Sequence, residues 1–127
     1  MAEYTPGPTQ RCPFCSIVRG VAPAMVLFET SLGLIIEPLD PVTTGHVLVL
    51  PKQHVEDLSA AGMLGGDMAT LASIWARGRY PSYNVITSVG AAATQTVRHL
   101  HWHIVPRDPN DGLPLPWTPQ QEHAAST

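Results

Sequence analysis

The chain has 127 residues, 44% of them hydrophobic, which suits a single domain with its own core and leaves too little for a second. A net charge of -3, with one lysine and six arginines, excludes a general nucleic-acid coat and a polybasic membrane anchor. No apolar run approaches the roughly 18 residues of a membrane span, and Met1 to Pro6 lacks a basic stretch ahead of an apolar one, so a soluble cytoplasmic protein is the expectation.

Residues 1–10 hold two prolines and a glycine and read as a flexible tail, ahead of a domain spanning 11–107. The only cysteines form the CxxC of Cys12-Pro13-Phe14-Cys15. In a reducing compartment such a pair reads as metal-binding or redox rather than as a structural disulfide, and two small apolar fillers remain a third reading. A helical turn is expected from Cys15 to Arg19, closed by Gly20. Met25 to Glu29 and Leu34 to Glu37 read as strands joined by the hairpin-length Thr30 to Gly33.

After a loop from Pro38 to Gly45, the run His46-Val47-Leu48-Val49-Leu50 predicts an interior strand that stops at Pro51. Met68, Leu71, Ala72 and Trp75 recur at helical spacing and predict one principal helix over Asp67 to Arg77, with Asp67 as its N-cap behind two glycines. Tyr83 to Thr87 and His99 to Val105 supply two more strands around the small, polar loop Ser88 to Thr96. From Asp108 onward four prolines predict an extended strap over residues 108–127. Five strands in hairpin-like succession and one main helix give an α+β fold with an antiparallel sheet.

Within His99-Leu100-His101-Trp102-His103-Ile104-Val105, strand alternation would put the three histidines on one face and Leu100, Trp102 and Ile104 on the other. Imidazole titrates nearest neutrality, so such a row offers a nucleophile, a proton donor and a charge stabiliser. The row could instead be a set of outward polar positions, or three ligands of a catalytic zinc.

This run resembles the signature of the histidine triad superfamily, His-x-His-x-His followed by two apolar residues. Gly45-His46 through Pro51-Lys52-Gln53-His54, Thr94-Gln95-Thr96-Val97 before the triad and Val105-Pro106-Arg107 after it match the family in order, over about residues 12 to 107. The resemblance implies nucleotidyl transfer or hydrolysis at an α-phosphate through a covalent nucleotidyl-histidine, on nucleoside phosphoramidates or dinucleoside polyphosphates. By position His101 would be the nucleophile, His103 would serve the phosphate oxygens or the leaving group, and His46 would orient the nucleophile. Gln95, Thr96 and nearby amides would donate to the phosphate oxygens, each worth ~3 kcal/mol of transition-state stabilisation. Ser88 stands where relatives often carry asparagine or glutamine. Pro38 replaces the acidic or amide residue that in many relatives binds the ribose eight positions before His46, which leaves Glu37 as the alternative ribose contact. Arg98 and Arg107 should alternate away from the triad into solvent.

Some members, including the galactose-1-phosphate uridylyltransferases, hold a structural zinc with a CxxC and two histidines. Carried over by motif, the ligands are Cys12, Cys15, His54 and His99. The family commonly forms homodimers by joining two sheets, for which the helix face bearing Trp75 is a candidate, and Trp117 would rim a pocket. The interval between His46 and His99 is short for the family, which suggests a trimmed segment near Gly62 to Gly66. A reading from another class is a zinc-stabilised nucleotide-binding module without catalysis.

Overall fold

A computed structural model describes residues 12–119, so the expected tail 1–10 and the end of the strap lie outside the described residues. In chain order the elements are helix α1 (Pro13–Val18), strands β1 (Val26–Glu29), β2 (Gly33–Ile36) and β3 (Val47–Pro51), helices α2 (Leu58–Ala61) and α3 (Met63–Ala76), and strands β4 (Tyr83–Ile86) and β5 (Trp102–Pro106). The five strands form one antiparallel sheet in the order β1-β2-β3-β5-β4. The expected α+β architecture is therefore present.

The sheet has two covered faces because its central strands alternate between two apolar clusters. Ile35, Val47, Val49, Leu100 and Ile104 pack with α3 through Met68, Leu71 and Ala72, with Trp102 at the edge. Leu34, Ile36, Leu48 and Leu50 pack on the other face with Phe14, Cys12 and Cys15 of the α1 segment. Strand β3 is buried along its whole length, as a strand sandwiched between two layers must be.

Two element starts differ from the sequence reading by three residues or more. The main helix starts at Met63, not Asp67, and runs straight through Gly65 and Gly66. Gly62, at φ +56°, makes the sharp turn out of α2, whose own cap is the Asp57 carboxylate accepting from the Ala60 amide at 3.2 Å. A side chain on Gly65 would press within 2.9 Å of Leu58 Cδ1, so this glycine lets α2 and α3 approach closely. Locally the glycines read as breakers; tertiary packing overrides that.

The second difference bears on the site. Strand β5 begins at Trp102, paired with Val49, so His99 and His101 precede the ladder. His103, opposite Leu48, is the one triad histidine within it.

Candidate active site and metal centre

Two adjoining sites share the triad segment. The first is a cleft of about 570 Å³ on the α1 side of the sheet, lined by His46, His101 and His103 with Ser88, Thr94 and Thr96 among others. This volume lies within the range of small-molecule sites.

Gly45, at φ +87°, turns the chain into β3; any side chain there would meet Pro106 Cγ at 3.1 Å and the Tyr80 ring at 3.2 Å. His46 follows, 6% exposed, with its pKa lowered by burial. Its tautomer is fixed by neighbours. The Val42 amide donates to His46 Nδ1 at 3.1 Å, so the proton of the neutral ring sits on Nε2. That N–H faces His103 Nδ1 at 2.9 Å and donates to it. His103 is then left with Nε2 as its own donor, and burial, followed by the neighbouring His101 and His46, pushes its pKa down to about 4.

His101 is oriented the opposite way. Its Nδ1 donates to the His99 carbonyl at 2.8 Å, which leaves the Nε2 lone pair as the free nitrogen. Burial lowers its pKa, against the opposing effect of that hydrogen bond. The Thr87 hydroxyl donates to the His101 carbonyl at 2.8 Å and pins the backbone. A nitrogen with a free lone pair and a nitrogen bearing a proton thus belong to neighbouring rings, with centroids 5.3 Å apart.

The second site lies behind this pair. Cys12 Sγ is 3.4 Å from His99 Nδ1, and Cys15 Sγ is 3.3 Å from His54 Nδ1 and 3.5 Å from His99 Nδ1. All four ligand atoms lie within 4.8 Å of one another, and the group could hold a metal ion. The sulfur-to-nitrogen spacings match the edges of a Cys2His2 tetrahedron around a zinc-sized ion, roughly 3.5 Å. The donor chemistry fits too. His99 Nε2 donates to the Pro51 carbonyl at 2.8 Å, so Nδ1 turns its lone pair toward the sulfurs. Burial drives the His99 pKa down to about 4, keeping that lone pair free, while burial and the neighbouring Cys12 push Cys15 up to about 11. A cation between the sulfurs would reverse the cost of ionising them.

Not every expected contact falls in the cleft. Gln95 is 6% exposed, and its amide is spent inside the protein: Nε2 donates to the Glu56 carbonyl at 2.8 Å and the Val97 carbonyl at 3.1 Å, and Oε1 accepts from the Gly90 amide at 2.9 Å. It clamps the loop that presents Thr94, a β-branched residue held at φ +69°, and Thr96. Glu37 lines a separate cavity of about 260 Å³ on the other side of His46, with Trp75 and Tyr80, and does not line the cleft. Pro38 does line it, and so does Asp40.

Arg107 corrects the sequence reading. Instead of reaching solvent it forms a two-pronged pair with Asp111, at 2.9 and 3.0 Å, and donates to Asn84 Oδ1 and the Leu113 carbonyl, each at 2.7 Å. This knot raises the Arg107 pKa and holds the Asp111 carboxyl well below its ordinary range. It lays Leu113, Pro114 and Leu115 of the strap along the cleft as one wall. The spacing of Arg107 and Asp111 was the available signal. Arg98 stays at the surface, 3.6 Å from Glu56, and Trp117 is half exposed and away from the cleft lining. Trp75 packs on Phe28 of β1, with the Arg79 guanidinium 3.7 Å above its ring. Phe14 was not foreseen from sequence: it lies between the two cysteines, lines the cleft and packs edge-on against His101.

A family model described as the HIT domain matches residues 19–110. The chain belongs to the histidine triad (HIT) family. Among similar proteins, an adenosine 5'-monophosphoramidase of Schizosaccharomyces pombe is 38% identical over 114 residues, covering 84% of this chain and 82% of its own. An adenylylsulfatase of Arabidopsis thaliana is 36% identical over 109 residues, 80% of this chain and 55% of the relative. A zinc-bound HIT protein of Mycobacterium smegmatis superposes with a TM-score of 0.78 at 36% identity, over 93% of this chain and 90% of that one. Among the described residues, no helix is long and apolar enough to cross a membrane.

Proposed function

We propose that this HIT protein is a nucleotide hydrolase or nucleotidyl transferase that attacks an α-phosphate with His101 Nε2, on nucleoside phosphoramidates or dinucleoside polyphosphates. The observation that carries this reading is the opposed pair of tautomers, with His101 Nε2 a bare lone pair and His103 Nε2 an N–H in the same cleft. Names borne by relatives support it: one is an adenosine 5'-monophosphoramidase and another an adenylylsulfatase.

In the first step His101 Nε2 bonds to phosphorus as the bond from phosphorus to the leaving nitrogen or oxygen breaks. His103 keeps its one proton on Nε2, because its Nδ1 already accepts from His46, and donates it as a hydrogen bond to the departing group, an amine from a phosphoramidate protonated on nitrogen or a nucleotide anion from a dinucleoside polyphosphate. In the second step water attacks phosphorus and loses its proton to solvent, and the His101–phosphorus bond breaks to return neutral imidazole. A transferase differs only in the second nucleophile. Among the described residues the one basic side chain lining the cleft is Arg107, which is paired with Asp111, so the donors these residues offer the phosphate oxygens are neutral. Thr96, Ser88 and His103 are the side-chain candidates, and Gln95 contributes by holding the loop.

Cys12, Cys15, His54 and His99 would hold a structural zinc, whose closed tetrahedral shell supplies cross-linking rather than an activated water. The supporting points are the donor spacings and the zinc-bound relative. A cytoplasmic homodimer completes the proposal; the family resemblance supports it.

The test is single turnover with adenosine 5'-phosphoramidate, followed by intact mass. An adenylyl adduct is expected on the native chain and none on His101→Gly, which should lose turnover by on the order of a thousandfold. Binding by calorimetry with no adduct and no product would favour a module without catalysis.

A further inference from the structure

The cleft has a neighbour. Thr96 and Val97 line the cleft and also line a second cavity of about 600 Å³, whose other walls include Cys12, His54, Glu56 and Arg98. A group bound at Thr96 stands at the junction of the two spaces, with His101 in one and Arg98 in the other.

The backbone of the second cavity is tied together, and its charges are not. Buried Gln95 donates from Nε2 to the Glu56 carbonyl at 2.8 Å and to the Val97 carbonyl at 3.1 Å, so one amide fixes the chain beside both charged side chains. Arg98 Nη1 lies 3.6 Å from Glu56 Oε1, outside hydrogen-bond length, and both side chains are more than half exposed. A pair of this kind contributes little, so an anion that draws Arg98 away from Glu56 gives up little. Cys12 and His54 belong to the four-ligand cluster, where two thiolates would balance a divalent ion, and add no net charge. Arg107, by contrast, is locked on Asp111. Among the described residues, Arg98 is therefore the guanidinium beside the reaction with donors to spare.

The chemistry gives such a cation something to recognise. When His101 Nε2 bonds to the α-phosphorus and the bond to a bridging oxygen breaks, the electron pair goes to that oxygen and the nucleotide departs as an anion. A phosphoramidate protonated on nitrogen releases a neutral amine. Neutral donors at the α-phosphate do not separate these two substrates, whereas a guanidinium fork placed beyond it matches the oxygens of a phosphate chain and not an amine.

We propose that the second cavity is a leaving-group subsite in which Arg98 is the specificity-determining residue, favouring nucleotides that release a phosphate chain over those that release an amine. This rests on the reading of His101 as nucleophile. Glu56 works in the opposite sense, since its carboxylate repels the same anion.

The experiment compares diadenosine tetraphosphate with adenosine 5'-phosphoramidate on the full chain. In Arg98→Gln, kcat/KM for the polyphosphate should fall about tenfold while that for the phosphoramidate stays within about twofold, and Arg98→Lys should recover most of the loss. Glu56→Gln should raise the polyphosphate value by about threefold, and both effects should shrink as salt is added. Inorganic tripolyphosphate reads the subsite without turnover: on a His101→Gly background, its calorimetric Kd should rise about tenfold when Arg98→Gln is added. Equal losses on the two substrates, or an unchanged tripolyphosphate affinity, would overturn the proposal. Turnover that survives His101→Gly would instead defeat the nucleophile reading, on which the tripolyphosphate arm does not depend.

Discussion

The cleft and the four-ligand cluster are built from the same side chain a few residues apart, yet their histidines are prepared for opposite tasks. His99 has its Nε2 tied to a carbonyl and offers Nδ1 to two sulfurs in full burial, the arrangement of a ligand. His101 has its Nδ1 tied to a carbonyl and offers Nε2 to an open cleft, the arrangement of a nucleophile. Which nitrogen the backbone takes decides what the other can do. The neighbours of each ring, not the triad motif, fix which nitrogen is free.

The sharpest way to break this contrast is to exchange effects between the two sites. His101→Gly should abolish turnover while leaving zinc content intact and the thermal midpoint nearly unmoved, whereas Cys15→Ser should lower zinc content and cost more than about 4 kcal/mol of stability, as loss of a structural metal does. Metal analysis and thermal melts on both variants read this directly. Equal destabilisation by the two would erase the division.

Arg107→Met comes next in size. With the knot to Asp111, Asn84 and Leu113 gone, the strap should loosen as a cleft wall, raising KM several-fold with kcat and metal content little changed. Steady-state kinetics on the phosphoramidate would show it.

A smaller effect follows from pH. His103 titrates near 4 in the folded chain and near 6.5 when unfolded, so between those values the unfolded state binds more protons. Stability from this group is complete above about pH 6.5 and is lost as pH falls toward 4. His46 and His101, which face it, carry shifts of the same sign. Denaturant midpoints at pH 7 and pH 4.5 should differ less in His103→Gln than in the native chain; an unchanged slope would show that His103 is not held neutral by its surroundings.

The smallest expected change is a control that touches neither site. Gly66 is exposed within α3, and an added Cβ meets nothing within 4 Å, so Gly66→Ala should stabilise the fold by roughly 0.5–1 kcal/mol with metal content and kinetics unchanged.

Much of this was legible in the chain. The β-branched run after His46 reports a strand covered on both faces, the short connection from Thr30 to Gly33 a hairpin, and the alternation of Leu100, Trp102 and Ile104 with the histidines an extended segment, all of which one sequence displays. The grouping of Cys12, Cys15, His54 and His99 was legible through the family resemblance. The start of α3 was not, because it depends on the turn at Gly62 and on the closeness of Gly65 to Leu58, which no local pattern reveals. Nor was the inward turn of Arg107, whose partners Asn84 and Leu113 come from a strand and a loop on either side of it in the chain.

By itself the sequence determined the layered antiparallel fold and the presence of five clustered imidazoles and two thiols, because periodicity and residue type are local properties. Only the tertiary structure decided which imidazole faces sulfur, which turns a free lone pair to the cleft and which turns an N–H there. Tautomers are set by hydrogen bonds from Val42, Pro51 and the His99 backbone, and those atoms meet the rings only once the sheet has closed.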